Sequence, residues 1–73
     1  MTVSKVLKYE RLKRGMTQTE FADLLETNRG SIAHYENGRL PLPITLKRFS
    51  EKLQIDLAKV LMEEEMQNES NKL

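Results

Sequence analysis

The chain has 73 residues, no cysteine, a single histidine and a formal net charge of +1. A domain of this size buries only ~60% of its unfolded surface, which disfavours a layered enzyme core, and without cysteine it has neither a disulfide framework nor a Cys/His zinc site. No apolar run approaches the ~20 residues of a membrane span and no signal-peptide core follows Met1-Thr2-Val3, so the expectation is a soluble, cytoplasmic, non-enzymatic protein without metal or cofactor. The charge is unevenly spread: residues 1–48 hold nine Lys/Arg against five Asp/Glu, and residues 49–73 hold three against six. A basic front with an acidic rear suits an oriented approach to a polyanion.

Val3 to Arg14 predicts a first helix, with Val3, Val6 and Leu7 on its inner side and Lys5, Lys8, Lys13 and Arg14 in water. Ser4 is the candidate cap and Gly15 the stop. Met16, the only apolar residue of the following connection, is placed as a plug in the core. Thr17 with Glu20 three residues later has the spacing of a capping box, in which hydroxyl and carboxylate each satisfy a backbone N–H at a helix start. The second helix therefore opens at Gln18, and Phe21, Ala22, Leu24 and Leu25 form its apolar stripe. Glu26-Thr27-Asn28 interrupts that stripe before Ile32 and Tyr35 open another. Asn28 is the natural N-cap of this third helix, and Gly38 supplies the left-handed residue that ends it.

Arg39-Leu40-Pro41-Leu42-Pro43 reads as a rigid extended loop, because proline lacks an N–H and restricts the residue before it. Ile44 or Thr45 then opens a fourth helix whose Leu46, Phe49 and Leu53 face the core. Asp56 caps a fifth helix carrying Leu57, Val60 and Leu61. From Glu63 the chain turns acidic and polar, a run that can extend the fifth helix before fraying; the expectation is a domain over residues 1–65 and a disordered tail over 66–73. With no repeat and no alternating strand pattern, the fold class is all-α, five helices and no sheet.

Two short helices joined by a tight turn, together with Arg11, Gly15-Met16-Thr17-Gln18, Ala22, Ile32, Glu36-Asn37-Gly38, Pro43 and Leu53-Gln54-Ile55-Asp56-Leu57, resemble the Cro/phage-repressor type of helix-turn-helix protein, the XRE-like family. The resemblance covers roughly residues 4–62. It implies a compact lambda-repressor-like domain that binds double-stranded DNA as a transcription regulator, most often a repressor. By the same resemblance the start of the third helix enters the major groove, so Arg29, Gly30, Ser31 and His34 are the candidates for base edges. Arg29 either forks onto guanine O6 and N7, a contact worth ~1–3 kcal/mol of discrimination, or clamps a phosphate. His34 is a base contact or a solvated residue. Thr17, Gln18, Asn37 and Arg39 look like phosphate anchors, Asn37 alternatively giving only a helix end. Arg11 and Glu36 look like the family's ion pair, against two solvated charges. Lys47 and Arg48 either add charge to the same edge or, the more ordinary reading, solvate the fourth helix.

Two positions depart from the family pattern. Glu26 stands where the turn usually carries glycine, so an unchanged turn places it at positive φ at a cost of ~1 kcal/mol. Gly30 puts no side chain at a position the family commonly uses for reading, so base contacts are expected to be sparse and DNA shape to contribute. One domain of this kind reads only a few base pairs, hence a homodimer on a palindrome with half-sites ~34 Å apart is expected. Leu57, Leu61, Met62 and Met66 spread wider than one core stripe needs and are the candidate interface; as a lid over the small core, Met62 and Met66 would have no partner. A second functional reading is an antitoxin-type module whose acidic run from Glu63-Glu64-Glu65 neutralises a basic toxin.

Overall fold

Five helices follow one another in the computed structural model, which describes residues 1–71: α1 (Val3–Lys13), α2 (Gln18–Leu24), α3 (Arg29–Glu36), α4 (Pro43–Leu53) and α5 (Leu57–Asn71). Among the described residues there is no strand. Each boundary has a local chemical cause. Thr17 and Glu20 form the complete capping box, Thr17 Oγ1 accepting from Glu20 N at 3.1 Å and Glu20 Oε1 accepting from Thr17 N at 2.9 Å. The Thr17 backbone and side-chain hydrogen bonds hold the Glu20 carboxyl below its ordinary pKa. Asn28 Oδ1 accepts from Ser31 N at 2.8 Å, and Asp56 Oδ1 from Lys59 N at 3.1 Å.

Two boundaries differ from expectation. Thr2, not Ser4, caps α1, its Oγ1 accepting from Lys5 N at 3.2 Å. The core explains the difference: Val3 is 2% exposed, and a helix starting after Ser4 would leave it outside. Pro43 is the first residue of α4 rather than part of the loop. Its fixed φ and missing N–H cost nothing at that position, and Leu42 before it is extended as the proline requires. The fifth helix carries the acidic run and continues through Asn71; residues 72 and 73, the end of the expected tail, lie outside the described residues.

One core joins all five helices. Val3, Val6 and Leu7 from α1, Phe21, Ala22 and Leu25 around α2, Ile32 from α3, Leu46, Phe49 and Leu53 from α4, and Leu57 from α5 are buried together. Met16, Tyr35, Val60 and Leu61 pack against this cluster as the apolar spacing predicts, and Ile55 joins them from the α4–α5 connection. Tyr35 meets Phe49 edge to face with centroids 5.8 Å apart, fastening α3 to α4. Ser50 links α4 to α5, donating from Oγ to Leu46 O at 2.7 Å and accepting from Leu57 N at 3.1 Å.

The fold also buries charge that hydrophobic periodicity does not reveal. Glu10 is 5% exposed, and Arg14 and Lys13, each one turn onward, both reach its carboxylate. Burial raises its pKa, but hydrogen bonds and charge from Arg14 and Lys13 outweigh burial, so the carboxyl sits below its ordinary value. At the other end of α1, Val3 N donates to Glu64 Oε2 at 3.3 Å, which places an α5 carboxylate at the positive end of the α1 dipole.

The α2–α3 turn keeps its shape at the expected cost, since Glu26 has φ of +58°. Its carboxylate lies 3.4 Å from Lys52 Nζ, both side chains being well exposed, so that pair contributes little. Glu26→Gly is therefore expected to stabilise the domain by about 0.5–1 kcal/mol, relief of left-handed strain outweighing the lost pair and the added freedom of the unfolded chain. Urea unfolding of the two proteins checks this; a lower midpoint for the glycine variant would show the turn to be unstrained.

Candidate nucleic-acid interface

A buried polar network fixes how the two-helix unit meets α1. The Arg11 fork donates from Nε to Glu36 Oε2 at 2.7 Å and from Nη2 to Glu36 Oε1 at 3.1 Å, while Nη1 donates to Met16 O at 3.0 Å. The side chains are 13% and 5% exposed respectively, so the two charges are paired and largely withdrawn from water. Donating its hydrogen bonds to the Glu36 carboxylate raises the Arg11 pKa. Gln18 Nε2 also donates to Glu36 Oε1, at 3.3 Å. One carboxylate at the end of α3 thus holds α1 through Arg11 and the first residue of α2 through Gln18, while Arg11 itself also holds the connection at Met16. This puts Gln18 beside the segment that continues as Asn37 and Arg39, so three candidate phosphate anchors share one edge.

Helical geometry, at about 100° per residue, decides which side of α3 is free. Ile32 is buried, Tyr35 stacks on Phe49 and Glu36 is engaged, whereas Arg29, Gly30, His34 and Asn37 are exposed. Ser31 is half-buried at the margin of that face. Ala33, absent from the candidates read in the sequence, is half-buried between Gly30 and Asn37, spaced i+3 and i+4 around it. The same periodicity that identified Ile32 as core sets Ala33 about 100° around the helix from it, at the margin of the exposed face. Its methyl group suits an apolar contact with a thymine methyl.

Gly30 has a structural reason as well. A Cβ there would lie 3.3 Å from Asn28 Oδ1, the oxygen that caps α3, so a side chain would crowd the cap. The helix start consequently offers bare backbone beside Arg29. Thr17 is exposed with its oxygen accepting from Glu20, which leaves its hydroxyl proton available to an outside acceptor. Gly38 has φ of +113° and Arg39 N donates to His34 O at 3.0 Å, turning the chain out of α3 with Arg39 exposed.

Other candidates lie elsewhere. Arg48 is half-buried with its guanidinium carbon 5.6 Å from the Phe49 ring centroid, and Lys47 lines a groove shared with α5. Lys47 is exposed as the ordinary reading of that pair has it, whereas Arg48 lies partly under the surface of α4 with its Nε buried. Leu57 is corrected: it is 0% exposed and belongs to the core, because it is the first residue of α5 and lies directly under Ser50 of α4. Leu61 is half-buried, while Met62 and Met66 are 63% and 64% exposed. Among the described residues no group of three or more His, Cys, Asp or Glu is placed to hold a metal ion, and no helix is long and apolar enough to cross a membrane.

No curated protein matches the chain, and no solved structure matches it. A family model described as helix-turn-helix matches residues 7–60, from α1 into α5 and across the whole unit described above. The chain belongs to the helix-turn-helix family of the XRE-like, Cro/repressor type, and is a DNA-binding transcription regulator.

Proposed function

We propose that this regulator is a sequence-specific repressor that binds a palindromic operator as a homodimer, with α3 in the major groove. The observation that carries the reading is the free face of α3. Arg29, Gly30 and His34 are exposed, with Ala33 half-buried at the margin of that face, and the Arg11–Glu36–Gln18 network holds the helix against its neighbours. On this reading Arg29 contacts a guanine edge, Ser31 and His34 contribute at the margin, and Gly30 lets backbone approach the bases. Thr17, Gln18, Asn37 and Arg39 take phosphates along their edge of the unit and set the register. Gln18 needs no rearrangement of its backbone to do so: its amide is already oriented by Glu36 and retains a second N–H. Leu61, Met62 and Met66 supply apolar surface for the second copy.

The antitoxin reading draws less support, because Glu64 of the acidic run accepts from Val3 N instead of standing free for a basic partner. Selection of duplexes from a random pool, followed by anisotropy at two salt concentrations, tests the proposal. A two-fold symmetric consensus with half-sites one helical turn apart is the expected outcome. Weak binding without consensus, falling steeply with salt, would reduce the basic face to a non-specific electrostatic role.

A further inference from the structure

Only one asparagine in the chain precedes a glycine: Asn37, at the end of α3, is followed by Gly38, whereas Asn28, Asn68 and Asn71 are followed by Arg29, Glu69 and Lys72. The pairing matters because a backbone nitrogen can attack the side-chain amide carbon of the asparagine before it, and a glycine nitrogen, with no Cβ beside it, meets the least hindrance. Both residues are exposed, the Asn37 amide makes no hydrogen bond within the described residues, and nothing lies within 4 Å of the place a Gly38 Cβ would take. Asn37 has ψ of +7°, which turns Gly38 N away from its side chain, so attack waits on an opening of the last turn. That opening costs little: Gly38 N donates to Tyr35 O at 3.3 Å, beyond the usual range, at a helix end. The fold cannot avoid the neighbour, since Gly38 has φ of +113° and a side chain there would be strained. Asn28 is the contrast at the other end of the helix: its Oδ1 accepts from Ser31 N at 2.8 Å, and Arg29 follows it.

We propose that Asn37 is a site of spontaneous deamidation whose product weakens the DNA-facing edge, and that bound DNA protects it. Gly38 N forms a bond to Asn37 Cγ, the Cγ–Nδ2 bond breaks, and ammonia leaves with the proton from Gly38 N. Water then opens the cyclic imide at either carbonyl, giving aspartate or isoaspartate with no oxidant or reductant. The consequence for binding rests on the reading of Asn37 as a phosphate anchor. On that reading the reaction replaces an amide donor beside a phosphate by a carboxylate, takes the formal net charge from +1 to zero, and puts the new charge at the negative end of the α3 dipole. The isoaspartate form also lengthens the main chain beside the Arg39 N to His34 O bond that turns the chain out of α3. A phosphate on Asn37 holds the last turn closed, so the free protein ages while the bound protein keeps its amide.

Peptide mapping by mass spectrometry tests it on the full chain, aged at neutral pH and physiological temperature with and without the duplex recovered by selection, anisotropy being read on the same samples. Asn37 is expected to convert well ahead of Asn28, operator affinity to fall in step with conversion, and conversion to be severalfold slower in the complex. Asn37→Asp is expected to bind about 10-fold more weakly than fresh wild type from the outset. Asn37→Gln, whose longer side chain would have to close a larger ring, is expected to hold through ageing whatever affinity it starts with. Aged wild type and Asn37→Asp reach the same charge by two routes, so poor folding of the variant leaves the test standing. Asn37 converting no faster than Asn28 would overturn the site, and equal conversion with and without duplex would overturn the protection. Full conversion with affinity unchanged would overturn the effect on binding, and with it the anchoring role of Asn37. Fresh wild-type protein that binds no duplex would overturn the DNA-contact reading itself, while the mapping, which needs no DNA, still decides whether Asn37 is the modified residue.

Discussion

Replacing Glu36 by alanine is expected to lower the thermal midpoint by roughly 12–24 °C, corresponding to about 3 kcal/mol at 4–8 °C per kcal/mol for a domain of this size. The loss comes from what remains. Arg11 keeps its charge at 13% side-chain exposure with only Met16 O to receive it, and Gln18 loses the acceptor that orients it. Arg11 retains some contact with water, which places the effect at the low end for a broken buried pair. Glu36→Gln, which preserves shape and one acceptor oxygen, is expected to fall between the two. Arg11→Met with Glu36→Leu should cost less than either single truncation, since removing both charges leaves none stranded. Melts and urea titrations check the series; a Glu36→Ala midpoint equal to that of wild type would mean that the pair is solvated after all.

Arg29→Ala is expected to act on binding and not on stability. The side chain is exposed at the first position of α3 and makes no hydrogen bond within the described residues, so its removal should change folding by less than about 0.5 kcal/mol. On DNA it should cost ~1–3 kcal/mol of discrimination at one position of each half-site, a factor of about 5 to 150 there. Competition anisotropy against operators altered at single positions measures this directly. If Arg29 only clamps phosphate, affinity falls uniformly across sequences and the salt slope drops by about 1, with no position relaxed.

The fold was legible because its determinants are local and periodic. The Thr17–Glu20 box, the Asn28 cap and the spacings of Leu46, Phe49 and Leu53 each act within a turn or two, and short-range chemistry can be read in order. Boundaries were harder where two nearby residues can serve the same end. Thr2 and Ser4 are both good caps, and only the burial of Val3 selects between them; Pro43 is as good a helix start as a loop residue until α4 is in place. What the sequence does not reveal is mostly long-range. The Glu64 bond to Val3 joins residues 61 apart, and nothing in an acidic run marks which carboxylate reaches back. Leu57 and Leu61 look alike on a stripe, yet the sharp α4–α5 connection, with Gln54 at φ of +56°, sends the first inside and leaves the second half-buried. The Arg11–Glu36 pair, 25 residues apart, was reachable only by resemblance, whereas Ala33 could have been found by carrying the Ile32 periodicity around the helix.

The central claim is that α3 lies in the major groove with Arg29 on a guanine. Methylation interference tests it most directly, because dimethyl sulfate modifies guanine N7, an atom exposed only in that groove. Binding of the wild-type protein is expected to be blocked by methylation of one guanine in each half-site, the two related by the two-fold axis and about one helical turn apart, and Arg29→Ala is expected to be indifferent to both. Interference confined to adenine N3 in the minor groove, or an identical guanine pattern for wild type and Arg29→Ala, would contradict it.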